Sequence, residues 1–299
     1  MLRIGTRGSA LALTQARGVA EAIGGAELVP IKTSGDEGGA AAALVGDKSR
    51  FVREIERALL AGEVELAVHS AKDLPGELPE GLELVGVPAR EDPADAWVGA
   101  AASLEEVPPG ARIGTSSLRR RSELLALRPD LEIVPLRGNV DTRLRLLVER
   151  ELDGIVLAAA GLRRLGREGE IAFTLGIEEM TPAPGQGSLA LEARGGDPGA
   201  AEAAAALTDR EALIELIAER AAVSGLDASC ETPVGVCARH RDGQLVLHGF
   251  AGMPDGSEHI RERVEGDPAQ PVALGEALVE RMVGAGAQEL LARAAEVSS

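Results

Sequence analysis

Tyrosine is absent from this chain of 299 residues, and three phenylalanines and one tryptophan are its only other aromatics. Each aromatic is therefore conspicuous, although core packing is the first reading of Phe51. There are two cysteines, Cys230 and Cys237, which excludes a disulfide framework. The four histidines are scattered, with no H-x-x-x-H or C-x-x-C spacing, so no metal site is expected. Long hydrophobic runs are missing as well. A run such as 155–160 falls far short of the roughly 20 residues that cross a bilayer. The N-terminus, MLRIGTRGSALALTQAR, has neither an apolar stretch of signal-peptide length nor a small-residue cleavage site, so a cytoplasmic protein with no membrane partner is expected.

Basic residues are in deficit, with a formal net charge of −17, which argues against a general binder of nucleic acid or anionic membranes. The imbalance is uneven. Residues 112–145 hold eight arginines against the four acids Glu123, Asp130, Glu132 and Asp141. A solvated helix face is the common reading of such a run. Here several of the arginines fall at strand-to-helix corners, which favours a polyanion site. Lysine is scarce: Lys32, Lys48 and Lys72 are the three among 31 basic residues. Each is either a chance survivor or a position that needs a compact ammonium group.

An apolar content of 45% supports a real core, and the length suggests two or three domains. Strand and helix signals alternate over the first two thirds, which implies parallel or mixed sheets covered on both faces. Strands are expected at 2–5, 28–31, 65–69, 133–136, 155–157 and 189–192. Helices are expected from Ser9 and Asn139, and over 50–60, where Phe51, Ile55 and Leu59 recur at helical spacing. Thr208-Asp209-Arg210-Glu211 reads as a capping box opening a long helix. The tetrapeptide Arg-Ile-Gly-Thr occurs at 3–6 and again at 112–115, each time before serine and an amphipathic helix. This points to two similar α/β lobes, whose helix N-termini would favour anions in a cleft between them. After Gly225 the texture changes to short strands separated by hairpin signals at Arg241-Asp242-Gly243 and Pro254-Asp255-Gly256, then a final helix over 271–295.

Four sets of residues could carry chemistry. Asp73, in AVHSAKDLP, follows a strand end, where α/β sheets commonly bind ligands, and its neighbour Lys72 favours its ionised form. The commoner role for such an Asp is a turn before Pro75. Arg7, Arg119, Arg120, Arg137, Arg143 and Arg164 lie at or near element corners. Guanidinium forks grip carboxylates, each charged hydrogen bond contributing roughly 1.5–3 kcal/mol. The hydroxyls of Ser9, Thr115, Ser116 and Ser117 add donors. Cys230 lies in a loop-like setting, whereas Cys237 falls in a strand pattern. A buried small hydrophobe is the usual reading of a cysteine, and a loop position favours a reactive one. Lys48 with Phe51 forms the fourth set.

Taken in order, RIGTRGSALALTQA, AVHSAKDLP, REDPADAWV, GTSSLRRRSEL, LRGNVDTRL, LAAAGLRRLG, PAPGQG and CETPVG resemble the hydroxymethylbilane synthase (porphobilinogen deaminase) family over nearly the whole chain. The resemblance implies two α/β lobes like those of type II periplasmic binding proteins, flanking a cleft, and a small C-terminal α+β domain. The implied divisions are 1–90 with 188–206, 91–187, and 207–299. It implies a transferase of tetrapyrrole biosynthesis that condenses four porphobilinogens head to tail, releasing one ammonia each time. The chain would grow on a dipyrromethane cofactor held by a thioether to Cys230, and hydrolysis would then release hydroxymethylbilane. Asp73 matches the family's catalytic aspartate, which stabilises the cation left when ammonia departs. Cofactor contacts are implied at Lys72, Asp73, Thr115, Ser116, Ser117, Arg119, Arg120, Arg143 and Gly161. Substrate contacts are implied at Arg7, Ser9, Lys48, Phe51, Arg137, Arg143, Arg164 and Gln186.

A monomer is expected. Gly46-Asp47-Lys48-Ser49-Arg50-Phe51 departs from the family's Gly-Gly-Lys-Gly-Leu-Phe, and residues 37–50 are expected to form a flexible lid. The rival readings are an anion-binding protein of the same fold without catalysis and an inactive homologue. The absent signal peptide and Cys230 weigh against the first, and the intact Asp73 and arginine set against the second.

Overall fold

The computed structural model describes residues 1–32, 52–228 and 232–298. Lys48, Phe51, Cys230 and the segment 37–50 lie outside the described residues. The first strands in chain order are β1 (Arg3–Arg7), β2 (Glu27–Ile31), β3 (Leu66–Ser70), β4 (Leu82–Gly86) and β5 (Asp95–Gly99). They are followed by β6 (Arg112–Gly114), β7 (Glu132–Val134), β8 (Gly154–Ala158), β9 (Phe173–Leu175) and β10 (Leu189–Arg194). These form two five-stranded sheets, ordered β2-β1-β3-β10-β4 and β7-β6-β8-β5-β9.

The two orders are equivalent. β1 runs parallel to β2 and β3, as β6 does to β7 and β8. The fourth strand of each sheet, β10 or β5, is antiparallel to both of its neighbours. The repeated Arg-Ile-Gly-Thr falls on β1 and at β6 with the residue after it, the corresponding strands of the two sheets. The similarity of the two lobes, read from four residues, is thus a similarity of topology. The chain passes from the first sheet to the second after β4 and returns at β10, so two segments link the lobes.

Each lobe packs helices on its sheet. α1 (Ala10–Ala22) covers the first sheet with Ala16, Val19 and Ala20 against Ile4, Leu66, Val68 and Leu191. α2 (Arg53–Leu60) buries Ile55 and Leu59 on the opposite face, the apolar pair expected from their spacing, though the helix begins three residues later than the sequence pattern suggests. In the second lobe α3 (Leu118–Leu127), α4 (Val140–Glu149) and α5 (Ala159–Arg164) follow β6, β7 and β8. Glycine shapes this lobe: a Cβ on Gly154 would lie 2.2 Å from the buried Trp97 ring.

α6 (Pro198–Ala205) and α7 (Arg210–Gly225) lead to a three-stranded antiparallel sheet of β11 (Val234–Arg241), β12 (Gln244–Gly252) and β13 (His259–Gly266). The β11–β12 turn uses Asp242 and Gly243, both with positive φ (52° and 79°), as a tight hairpin of this twist requires. Two expectations are corrected here. The cap of α7 is Asp209, which accepts from Ala212 N at 2.8 Å. Thr208 is drawn away, because its hydroxyl donates to Ala204 O at the end of α6 and accepts from Val87 N. The final helix is two, α8 (Pro271–Gly284) and α9 (Ala287–Ser298). Gly286 separates them with a φ of 98°, a left-handed conformation that ends a helix. Ala218, Ala222, Leu278 and Met282 from α7 and α8 close the core over Val236 and Leu247 of this sheet.

Candidate active site

The carboxyl ends of the parallel strands gather the expected residues. Arg7 closes β1, and Ser9 caps α1, accepting from Ala12 N at 3.3 Å. Lys72 and Asp73 form a single 3-10 turn directly after β3. Thr115, Ser116 and Ser117 follow β6, with Ser117 capping α3 as Ser9 caps α1. Arg137 follows β7, and Arg143 lies in the first turns of α4. Gly161 and Arg164 lie on α5, after β8. In α/β sheets this edge is the ligand edge, because strand ends and helix N-termini leave donors exposed there.

Hydrogen bonds join several of these residues. Lys72 Nζ donates to Gln186 Oε1 at 3.3 Å, and Arg120 reaches the same oxygen at 3.5 Å. Gln186 Nε2 in turn donates to Asp95 Oδ1 at 2.8 Å and to Pro93 O at 2.7 Å. Arg164 donates to Gly187 O at 2.6 Å. The segment around Gln186 is built of glycine for a steric reason. Gly185 and Gly187 have φ of 71° and 87°, and a Cβ on Gly185 would lie 2.9 Å from Lys72 N. Only glycine lets this segment press against the turn that carries Lys72 and Asp73.

Arg119 and Arg120 lie in the first turn of α3. Both are buried, and their guanidiniums are turned onto the protein's own carboxylates. Asp95 takes Arg119 Nη2 at 2.8 Å on one oxygen and Arg120 Nη2 at 2.7 Å on the other. Glu123 takes Arg119 Nη1 at 2.8 Å. Burial alone would raise the Asp95 carboxyl, but Arg119, Arg120 and Gln186 outweigh it and hold the group well below the usual carboxylate range.

Arg143 lies on α4, which follows β7. Its Nε donates to Gly138 O at 2.8 Å. Burial pushes its guanidinium down to about 10, the neighbouring cations Arg120 and Arg137 add to this, and Asp73 opposes it. Burial likewise lowers Arg164. A cation held at a disadvantage among other cations is stabilised by a bound anion. Ser116 Oγ is buried with no hydrogen-bond partner among the described residues, a further donor of suitable chemistry. The site can therefore hold a ligand with several carboxylates beside one aspartate.

Gly161 lies in the first turn of α5. It is buried where α5 meets α1, and a Cβ there would sit 3.5 Å from Leu11 Cδ2. The described residues thus give it a packing role between the lobes. Cys237, by contrast with the reactive cysteine expected at 230, is fully buried on β11, and burial pushes its thiol up to about 12.

The sequence reading missed the supporting charges. Arg90 and Asp95 lie in REDPADAWV, a motif to which no role was assigned, and Glu123 lies in GTSSLRRRSEL as part of the cationic run. Arg90 donates to Gln186 O at 2.9 and 3.0 Å and to Glu219 at 2.7 Å. Glu219 also accepts from Gly185 N and Ala238 N, so a buried carboxylate of α7 joins the Gln186 segment to β11.

Comparison with known proteins agrees with this architecture. Residues 2–202 match the family model described as porphobilinogen deaminase, dipyromethane cofactor binding domain, and residues 213–284 match porphobilinogen deaminase, C-terminal domain. The chain is 47% identical over 298 residues to a porphobilinogen deaminase of Syntrophus aciditrophicus, covering 97% of each chain. It is 48% identical over 298 residues to that of Thermus thermophilus, covering 97% of this chain and 98% of that one. Among solved structures, a periplasmic VFT2 domain of Bordetella pertussis BvgS aligns with a TM-score of 0.38 at 14% identity, over 68% of this chain and 84% of that one. The chain belongs to the porphobilinogen deaminase family.

Proposed function

We propose that this chain is a hydroxymethylbilane synthase, condensing four porphobilinogens with loss of ammonia and then releasing the linear tetrapyrrole by hydrolysis. The observation that carries the reading is the placement of Arg7, Arg137, Arg143 and Arg164 after the parallel strands, at the same sheet ends as Lys72 and Asp73. A dipyrromethane with its several carboxylates fits such a site by charge and by donor chemistry. When bound through Cys230, it supplies the pyrrole end to which each new unit is joined.

The chain's own residues do the rest. Arg7, Arg137, Arg143 and Arg164 receive carboxylates of cofactor and substrate, with Ser9, Thr115, Ser116, Ser117, Lys72 and Gln186 adding hydrogen bonds. Arg119 and Arg120 act from beneath, their positions set by Asp95. Asp73 accepts from pyrrole N–H groups and offsets the positive charge that develops as ammonia leaves. Lys48 and Phe51 are assigned to substrate by the family motif alone.

We read the chain as three domains, 1–90 with 188–206, 91–187 and 207–299, supported by the two crossings between the sheets and by the separate C-terminal sheet. A cytoplasmic monomer is the state we assign. Among the described residues no helix is long and apolar enough to cross a membrane. The test is intact-protein mass spectrometry after incubation with porphobilinogen, with peptide mapping. The expected result is an increment of two porphobilinogen units less their ammonia on Cys230, together with turnover. An unmodified Cys230 after that incubation would return the chain to the binding-protein reading.

A further inference from the structure

Glu123 is fully buried on α3, one turn after Arg119, and its two oxygens face different elements. Oε2 accepts from Arg119 Nη1 at 2.8 Å. Oε1 accepts from Thr181 N at 2.6 Å and lies 3.6 Å from Arg261 Nη1 of β13. Thr181 closes the ring, because its carbonyl accepts from the same Arg119 nitrogen at 2.8 Å. The next residue, Pro182, accepts from Val236 N of β11 at 3.0 Å.

The C-terminal sheet also rests directly on α3. A Cβ on Gly252 would lie 2.5 Å from Ser122 Oγ, and one on Gly256 would lie 2.5 Å from Ala126 N. A Cβ on Gly235 of β11 would lie 2.5 Å from Thr181 O. At Gly235 and Gly256 the C-terminal sheet thus lies directly against the backbone of Thr181 and of α3. Arg261 is itself seated over the Phe250 ring at 4.7 Å and donates to Glu179 O at 2.6 Å, so it too is fixed on the C-terminal sheet.

We propose that Glu123 is a positioning residue for the reaction: it sets the Arg119 guanidinium relative to β11, the strand that begins four residues after Cys230 in the sequence. The assignment rests on the hydroxymethylbilane synthase reading. Glu123 touches no reacting group. Its effect reaches the site through Arg119 and Asp95, because Asp95 also holds Arg120 and Gln186, and Gln186 Oε1 accepts from Lys72 beside Asp73.

The full chain is compared with its Glu123→Leu, Glu123→Gln and Arg261→Met variants. Active sites are counted by the cofactor mass on Cys230, and kcat and KM for porphobilinogen are measured per loaded site. Misplacing one charged contact by a fraction of an ångström is expected to lower kcat/KM of Glu123→Leu by about tenfold or more, carried mainly by KM. Gln keeps the shape, but its single oxygen can accept from only one of Arg119 and Thr181, so it is expected to recover part of the loss. Arg261→Met, which loosens one side of the ring, is expected to fall between them. A merely structural role would lower the unfolding midpoint and leave kcat/KM per loaded site unmoved. Folded, loaded Glu123→Leu with the parent's kcat/KM overturns the proposal. If that variant does not fold, an Arg261→Met variant with the parent's kcat/KM overturns it instead. A parent chain that gains neither adduct nor turnover overturns the activity reading and this proposal with it.

Discussion

The Arg90 guanidinium lies 2.7 Å from Glu219 Oε1 with both side chains buried, one on the segment linking the two lobes and the other on α7. The same guanidinium donates twice to Gln186 O. Arg90→Met leaves Glu219 and Glu215 buried without their main cation, and removing one partner of a buried pair costs about 3–5 kcal/mol. Urea unfolding should show a loss of that order. A change within about 1 kcal/mol would mean that the carboxylates find other partners.

Gly187 has a φ of 87°, and a Cβ there would stand 2.2 Å from Glu91 O. Gly187→Ala combines a left-handed backbone with a clash against backbone, so destabilisation by about 2 kcal/mol or more is expected. Turnover should fall with it, because Gln186 and the carbonyl that receives Arg164 move together. A variant with the parent's melting temperature and turnover contradicts this.

Asp73 lies half-buried beside Lys72 on the 3-10 turn, held from below by the Gln186 segment. Asp73→Asn keeps size and hydrogen bonding while removing the charge. It should fold, carry cofactor and lose nearly all turnover, a drop of about a hundredfold or more. Near-normal turnover would remove Asp73 from its assigned role.

Cys237 is fully buried and its thiol stands at about 12, so at pH 8 almost none is thiolate. Iodoacetamide should leave Cys237 unlabelled in the folded chain and label it after denaturation. Cys237→Ala should still take up cofactor, whereas Cys230→Ser should not. An adduct mapped to Cys237 would reverse the assignment.

Burial raises the Glu123 carboxyl to about 7, against the pull of Arg119 and Arg261. Its folded value is thus above its unfolded one, so its favourable contribution is complete below about 4.3 and is lost as pH rises through about 7. Glu123→Gln removes this dependence. The stability of the parent relative to the variant should therefore fall between pH 5 and pH 8, read from urea midpoints at each pH. A difference that is flat or rises with pH would show that the arginines, not burial, set the protonation of Glu123.

Much of the fold was legible because it rests on local chemistry. Apolar spacing over Ile55 and Leu59, caps at Ser9 and Asn139, and the Asp242-Gly243 turn are short-range signals, and each marks its element, although α2 starts three residues late. The repeat Arg-Ile-Gly-Thr told of two lobes because equivalent strands face equivalent packing. Thr208 misled because its hydroxyl has a partner in Val87, 121 positions away, which no local pattern contains.

The site divides in the same way. Sequence alone determined which residues end the parallel strands, since strand ends and helix caps follow one another along the chain. From that came Lys72, Asp73, Thr115 and Ser117 as site residues. Only the tertiary structure decided which arginines pair with the protein's own buried carboxylates. Arg119 and Arg120 are turned inward because Asp95 and Glu123 are buried beside them, and a buried carboxylate must be paired. Arg143 is left with its charge opposed because Arg120 of α3 and Arg137 after β7 are brought near it. Electrostatic balance of that kind depends on distances between residues far apart in sequence, and those distances exist only once the chain has folded.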